Sequence, residues 1–181
     1  MRKIVASLYI SLDGVVEDPR WTFQFISDEQ MAYKLEELKS ADALLLGHTT
    51  YNEFAATWPG MREQAGEYGE MMHNYPKYVA SSSLTNPEWN NTTILKENLD
   101  ERIAELKQQP GKDILVFGSP TLIQSLTEQD LIDEYRLMTF PVLLGKGKRL
   151  FQEGHEKKVL EHASTHTFDS GVTVLTYRPA K

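Results

Sequence analysis

Apolar residues fall into two regimes along this chain. Before Asp133 they form short solid blocks separated by stretches of helical spacing, and from Asp133 onward they alternate with polar residues. Short solid blocks fit strands buried in a sheet, whereas recurrence at i, i+3 and i+4 fits one face of a helix. KIVASLYI (Lys3 to Ile10), ADALLLG (Ala41 to Gly47), KYVAS (Lys77 to Ser81), TTILK and the run DILVF beginning at Asp113 therefore read as strands. Between them, SDEQMAYKLEELKS reads as a helix with Ser27 and Gln30 as a capping box and Met31, Leu35 and Leu38 as its apolar stripe. HTTYNEFAATW and REQAGEYGEMMHNYP also have helical character. Asn98 and Glu101 open another helix, striped by Leu99, Ile103 and Leu106 and stopped by Pro110-Gly111.

Alternating strands and helices predict an α/β fold with a mostly parallel central sheet flanked by helices. In the last third, DEYRLMTFPVLL, KKVLEHASTHTF and GVTVLTYRP read as strands that extend the sheet in antiparallel fashion. Gly145 and Gly147 supply a turn, and Pro141 points to an edge, a bulge or a strand end. No repeat, low-complexity tract or linker divides the chain, so residues 1–181 are expected to form a single domain.

The chemistry suggested by this pattern lies where strands become helices. In DILVFGSPTLIQSL, Ser119 is a natural N-cap and Pro120 suits the first helical position, with Leu122, Ile123 and Leu126 on one helix face. Such a helix start attracts anions through its unpaired N–H groups and its dipole, and Gly118 allows close approach. Gly47-His48-Thr49-Thr50 and Ser81-Ser82-Ser83 follow two other strands. If the strands are parallel neighbours, all three stretches share the carboxyl edge of the sheet, where open α/β sheets bind ligands. Two helix starts at one edge suit a diphosphate. Neither G-x-G-x-x-G nor the P-loop spacing occurs, since GSPTLI and GKGKRL match neither. Asp13-Gly14 reads first as a turn, and alternatively as a carboxylate at the cavity mouth that supplies a proton. Trp21, Phe23 and Phe25 read as core aromatics, with Trp21 also placed to stack on a flat ring.

Composition narrows the function classes. A formal charge of −7, from 19 Lys plus Arg against 26 Asp plus Glu, argues against a nucleic-acid surface. Absence of cysteine excludes disulfides, thiolate metal sites and cysteine nucleophiles. There is no His-Glu-x-x-His helix and no Gly-x-Ser-x-Gly elbow, so neither a metal site nor covalent hydrolysis is expected. The basic pair near the N-terminus precedes an apolar run too short for a signal peptide or a membrane span, so a cytoplasmic location without membrane attachment is expected.

SLYISLDGVVE, ADALLLGHTTYNEF followed by TWPG, KYVASSSL, GKDILVFGSPTLIQSL and LIDEYRLMTFPVLLGKGKRLF resemble, in order and spacing, a dihydrofolate-reductase-like family. That family is related to the C-terminal reductase domain of the bacterial riboflavin biosynthesis protein RibD. The resemblance implies a dihydrofolate-reductase-like fold, NADPH as hydride donor, a small heterocyclic substrate and a homodimer. By position it implies that Gly47, His48, Thr49, Ser81, Ser82, Gly118, Ser119, Thr121 and Leu122 lie along the cofactor, with Trp21 and a catalytic Asp13 near nicotinamide and substrate. His48 stands where the family usually has arginine, so phosphate is expected to be held less firmly. The expected activity is hydride transfer from NADPH to a C=N or C=O group. The contending expectation is a nucleotide-binding regulatory or stress protein with the same fold and no catalysis.

Overall fold

The computed structural model describes all 181 residues. Its strands are β1 (Ile4–Ser11), β2 (Ala41–Gly47), β3 (Lys77–Ala80), β4 (Thr92–Leu95), β5 (Asp113–Gly118), β6 (Glu134–Phe140), β7 (Leu160–Thr167) and β8 (Thr173–Pro179). They join one eight-stranded sheet in the order β4-β3-β2-β5-β1-β6-β8-β7. The helices are α1 (Asp28–Lys39), α2 (His48–Met61), α3 (Gly66–Asn74), α4 (Leu99–Gln108) and α5 (Pro120–Glu128), with a short 3-10 helix at Pro19–Phe25.

Pleating explains the solid apolar blocks. Successive side chains of a strand point to opposite faces, so a strand covered on both sides must be apolar throughout. Ile4, Ala6, Ala43, Leu45, Ile114 and Val116 pack on one face against Ile103 and Leu106 of α4 and Leu122, Ile123 and Leu126 of α5. Val5, Leu44, Leu46, Val79 and Leu115 pack on the other against Leu38 of α1, Tyr51 of α2 and Met72 of α3. Each of the Val, Leu, Ile and Met side chains among them contributes about 1.5–3 kcal/mol by leaving water.

Strands β1 to β6 all run parallel where they pair; only the β6·β8 and β8·β7 pairs are antiparallel. The first of the late strands is therefore a parallel neighbour of β1, and the reversal begins one strand later than the alternation suggests. Pro141 falls just past the end of β6, where its missing N–H removes no ladder bond. The strand read as starting at Lys157 is regular only from Leu160. No helix is long and apolar enough to cross a membrane.

Capping follows the sequence in two of three places. Ser27 Oγ accepts from the Gln30 amide at 3.2 Å, although Gln30 Oε1 makes no return bond and the capping box is only half formed, and Ser119 Oγ accepts from the Leu122 amide at 3.3 Å. Asn98 adopts a left-handed conformation and makes no side-chain cap.

Two apolar readings are corrected. On α1, Leu38 is buried but Met31 is 60% exposed, and the inward face carries Gln30, Lys34 and Glu37. Lys34 and Glu37 turn in because they have partners there: Lys34 pairs with Glu37, Ser7 Oγ donates to Glu37 Oε2 at 2.9 Å, and Arg136 lies 3.6 Å from Glu37 Oε1. The aromatic alternation at Trp21, Phe23 and Phe25 belongs to the 3-10 helix, whose period does not put all three on one face. Trp21 and Phe25 pack on Phe140, while Phe23 is 64% exposed.

One fully buried cation fastens the β3 and β4 side of the sheet. Lys77 Nζ donates to the carbonyls of His73 (2.6 Å), Tyr75 (2.9 Å) and Asn90 (3.1 Å), and lies 4.1 Å from the centre of the Trp89 ring. Burial pushes its amine down to about 8. Lys77→Met keeps the stem but leaves three carbonyls without this donor, and is expected to cost about 2–4 kcal/mol in a urea unfolding experiment.

Candidate active site

The cleft originates in the sheet itself. β1 pairs with β5 only from Ile4↔Ile114 to Ala6↔Val116, yet it stays paired with β6 as far as Ser11↔Phe140. Beyond Ala6 the two central strands part. On the far side β5 remains joined to β2, with an irregularity between the Leu45↔Val116 and Leu46↔Gly118 pairs that leaves Phe117 unpaired. Such a bulge bends the strand and re-aims its side chains. Ser7, Leu8 and Tyr9 line one wall of the resulting cleft, and Phe117, Gly118 and Ser119 the other. Its volume of about 940 Å³ is near the upper end of the range for small-molecule sites.

Two helix starts meet at this opening. Gly47 is the N-cap of α2 and Ser119 the N-cap of α5. A Cβ on Gly47 would lie 2.9 Å from the Ser119 backbone nitrogen, so the two caps are in van der Waals contact and only glycine fits the first. Gly118 has φ +149°, and a Cβ there would lie 2.7 Å from Thr50 Oγ1. The positive ends of two helix dipoles are thereby held side by side. His48, Thr49 and Thr50 line the cleft from α2, and Ser119, Pro120 and Thr121 from α5.

A cation missed in the sequence completes this end. Lys148, in the turn GKGKRL, donates from Nζ to Thr121 Oγ1 at 2.6 Å, while its amide donates to Glu17 Oε2 at 3.0 Å. The turn is held over the cleft by pairing with the segment after β1: the Val16 amide donates to the Lys148 carbonyl at 2.9 Å and the Leu150 amide to the Gly14 carbonyl at 3.0 Å. The failed match of GKGKRL to a P-loop hid this residue, because its place depends on a contact across more than a hundred residues. Hydroxyl groups orient the other basic group. His48 Nδ1 lies 3.0 Å from Ser81 Oγ and 3.1 Å from Ser83 Oγ.

The remaining residues singled out from the sequence lie outside the cleft lining. Gly47 is buried beneath it, Ser81 acts on it through His48, and Ser82 is exposed. The Leu122 amide is occupied by Ser119 Oγ, and its side chain belongs to the core. Asp13 bonds Ser11 Oγ at 2.6 Å and the amides of Leu144 (3.2 Å) and Gly145 (2.8 Å). These donors, Ser11 first, hold its carboxyl at about 2. Trp21 packs edge-on to Phe140 with ring centres 5.4 Å apart and donates from Nε1 to the Glu17 carbonyl at 3.1 Å. Lys34, Tyr68, Phe54 and Trp58 line the opposite end of the cleft, and none was marked by sequence pattern.

The contact between the two caps gives a direct test. Gly47→Ala forces the α2 and α5 starts apart against backbone, and is expected to lower stability by about 1–3 kcal/mol in chemical denaturation, while Gly60→Ala, which lies within α2 and meets nothing within 4 Å, is expected to keep or slightly raise it.

Comparison with known proteins fits this geometry. The profile of the RibD C-terminal domain family matches residues 2–174. Two uncharacterized Bacillus subtilis (strain 168) proteins are similar over nearly their full length. YyaP is 31% identical over 179 residues, covering 97% of this chain and 94% of its own, and YwjB is 27% identical over 175 residues, covering 94% and 95%. Among solved structures, a candidate riboflavin biosynthesis protein from Shewanella sp. PV-4 superposes with a TM-score of 0.79 at 22% identity, covering 99% of both chains. A Thermotoga maritima diaminohydroxyphosphoribosylaminopyrimidine deaminase/5-amino-6-(5-phosphoribosylamino)uracil reductase superposes with a TM-score of 0.70 at 16% identity, covering 99% of this chain and 57% of that one. Both share the fold: a mostly parallel sheet flanked by helices, extended by antiparallel strands at its C-terminal side. With a match running from the start of β1 into β8, the chain belongs to the RibD C-terminal domain family.

Proposed function

We propose that this protein is an oxidoreductase that binds NADPH along the carboxyl edge of the sheet and reduces a C=N or C=O group of a small heterocyclic substrate. The single observation that carries the reading is the contact of the α2 and α5 caps at Gly47 and Ser119, which sets two helix dipoles and their free amides around one point. A diphosphate is the ligand such a pair suits best. Thr49, Ser119 and Thr121 supply hydroxyls there, Lys148 the fixed cation, and His48 a second basic group steadied by Ser81 and Ser83. Lys148 takes on the part that arginine in place of His48 would otherwise play. When bound, reduced nicotinamide supplies a hydride; the chain's residues contribute its placement and the exclusion of water.

In this reading Asp13 is a latch and not a proton donor. With its carboxyl held at about 2 it carries no proton near neutral pH, and its oxygens face the turn that delivers Lys148. Trp21 acts at one remove, through the edge-to-face chain Trp21–Phe140–Tyr9 that braces a cleft wall. Leu137, Leu175 and Tyr177 stand only half-buried on one face of the late strands, and we take that face as the homodimer contact.

NADPH binding followed by fluorescence is expected to saturate, and Lys148→Ala to weaken it about tenfold with a reduced salt dependence. Asp13→Asn is expected to weaken binding less than Lys148→Ala does. Binding of NADPH without oxidation across a panel of ring carbonyl and imine compounds would instead favour a regulatory protein, and no binding at all would remove the proposal. Sedimentation is expected to give twice the chain mass.

A further inference from the structure

Between β3 and β4 the chain crosses over without a helix, through residues 81–91, and one tryptophan pins that crossover to the body of the protein. Trp89 is 4% exposed. Its amide donates to Tyr51 Oη of α2 at 3.1 Å, its ring lies beneath the Lys77 ammonium, and its indole Nε1 donates to His73 Nδ1 of α3 at 3.2 Å. An indole N–H can only donate. The bond therefore exists only while His73 is neutral, with Nδ1 bare and the ring proton on Nε2.

The groups around His73 oppose a second proton. Lys77 Nζ is bound to the His73 carbonyl at 2.6 Å, and because burial brings that amine only down to about 8, it stays charged wherever histidine titrates. An imidazolium would stand beside a buried ammonium on the same tryptophan. Arg62, at the end of α2, adds a further positive charge, and Glu70 of α3 is the one acid that bears on the ring. Glu70 is already committed to Arg62 at 2.8 Å and to Asn74 at 3.3 Å. Burial first, then Arg62 and Lys77, hold the imidazole below its ordinary range against the pull of Glu70. Once the proton is taken, Nδ1–H faces the indole N–H, and the two donors cannot share that place.

The pinned crossover starts at Ser81 and Ser83, whose hydroxyls orient His48 in the cleft. Tyr51 stands on the first turn of the helix that His48 opens. We infer that His73 and Trp89 form an acid-sensitive clasp: protonation of His73 frees the indole, loosens residues 84–89 and withdraws the support that Ser81 and Ser83 give to His48. Lys77, still bound to the Asn90 carbonyl at 3.1 Å, keeps the entry to β4 in place, so the release is local. The folded chain binds this proton less readily than the unfolded one, so the stability of the clasp is complete above about pH 6.5 and is lost as pH falls below it. Only the consequence for NADPH rests on the proposed function; the clasp itself needs no ligand.

The test uses the intact protein with Trp21→Phe and Trp58→Phe, which leave Trp89 as its sole tryptophan. Acrylamide quenching of Trp89 is expected to be about threefold stronger near about pH 5.5 than near about pH 7.5, with the far-ultraviolet circular dichroism unchanged. Adding His73→Asn, whose Oδ1 accepts in place of Nδ1 and takes no proton, is expected to keep Trp89 shielded at both. Hydrogen exchange of the Trp89 amide in the unsubstituted protein and in His73→Asn, corrected for the intrinsic effect of pH, makes the same comparison with the other aromatic residues in place. His48, His155, His162 and His166 are common to both proteins, so the difference belongs to His73. NADPH affinities of wild type and His73→Asn are expected to agree near about pH 7.5 and to differ about threefold near about pH 5.5, wild type being the weaker. Equal shielding of Trp89 at both pH values in the histidine protein, or the same opening in His73→Asn, overturns the clasp. Opening with equal NADPH affinities in acid overturns its link to the cleft, and absence of NADPH binding at any pH, with the opening intact, overturns the reductase reading alone.

Discussion

The site depends on the parting of two parallel strands. In a sheet buried on both faces, every residue of separation between neighbours exposes backbone groups that need a partner, so strands stay paired unless something replaces the ladder. β1 and β5 separate after Ala6 and Val116 because each has another neighbour to hold it: β6 carries β1 on to Ser11, and β2 carries β5 to Gly118. The cleft is therefore a wedge between two well-supported half-sheets. Its walls are rigid because they are still strands.

Around that wedge the two ends differ in kind. Where β2 and β5 finish, Gly47 and Ser119 touch, and two helices begin within one small region. Fixed dipoles dominate there. Toward α1 and α3, fixed charges and phenols dominate, with Lys34 held between Ser7 and Glu37 and the Tyr9 and Tyr68 rings beside it. A ligand spanning both ends would meet two helix starts and then an aromatic corner.

Much of the fold was legible in the sequence, because solid apolar blocks and N-cap chemistry are local signals. β1, β2, β3, β5 and α5 fall nearly where those signals place them, and Ser27 and Ser119 make the caps their positions suggest. The gathering of His48, Thr49, Ser119 and Thr121 at one opening also follows from strand order in a parallel sheet. Legibility failed where a polar residue's meaning depends on a distant partner. Lys34 and Glu37 lie outside the apolar stripe read for α1, and only Ser7 and Arg136, distant in the chain, account for their burial. Lys148 sat in an unremarkable turn, and Asp13 in a loop whose bonds to Leu144 and Gly145 span the chain.

Lys148 reaches the α5 start on a turn suspended from the segment after β1 by backbone pairing at Val16 and Leu150 and by the Asp13 carboxylate, with Gln124 of α5 adding side-chain bonds to the Arg149 and Leu150 carbonyls. In the proposed reading, the strength of the anion corner and the architecture that shapes it are encoded in largely separate stretches of chain. Descendants of this sequence can retune their grip on a charged partner by altering a surface turn, leaving the close-fitting glycine and serine junction untouched.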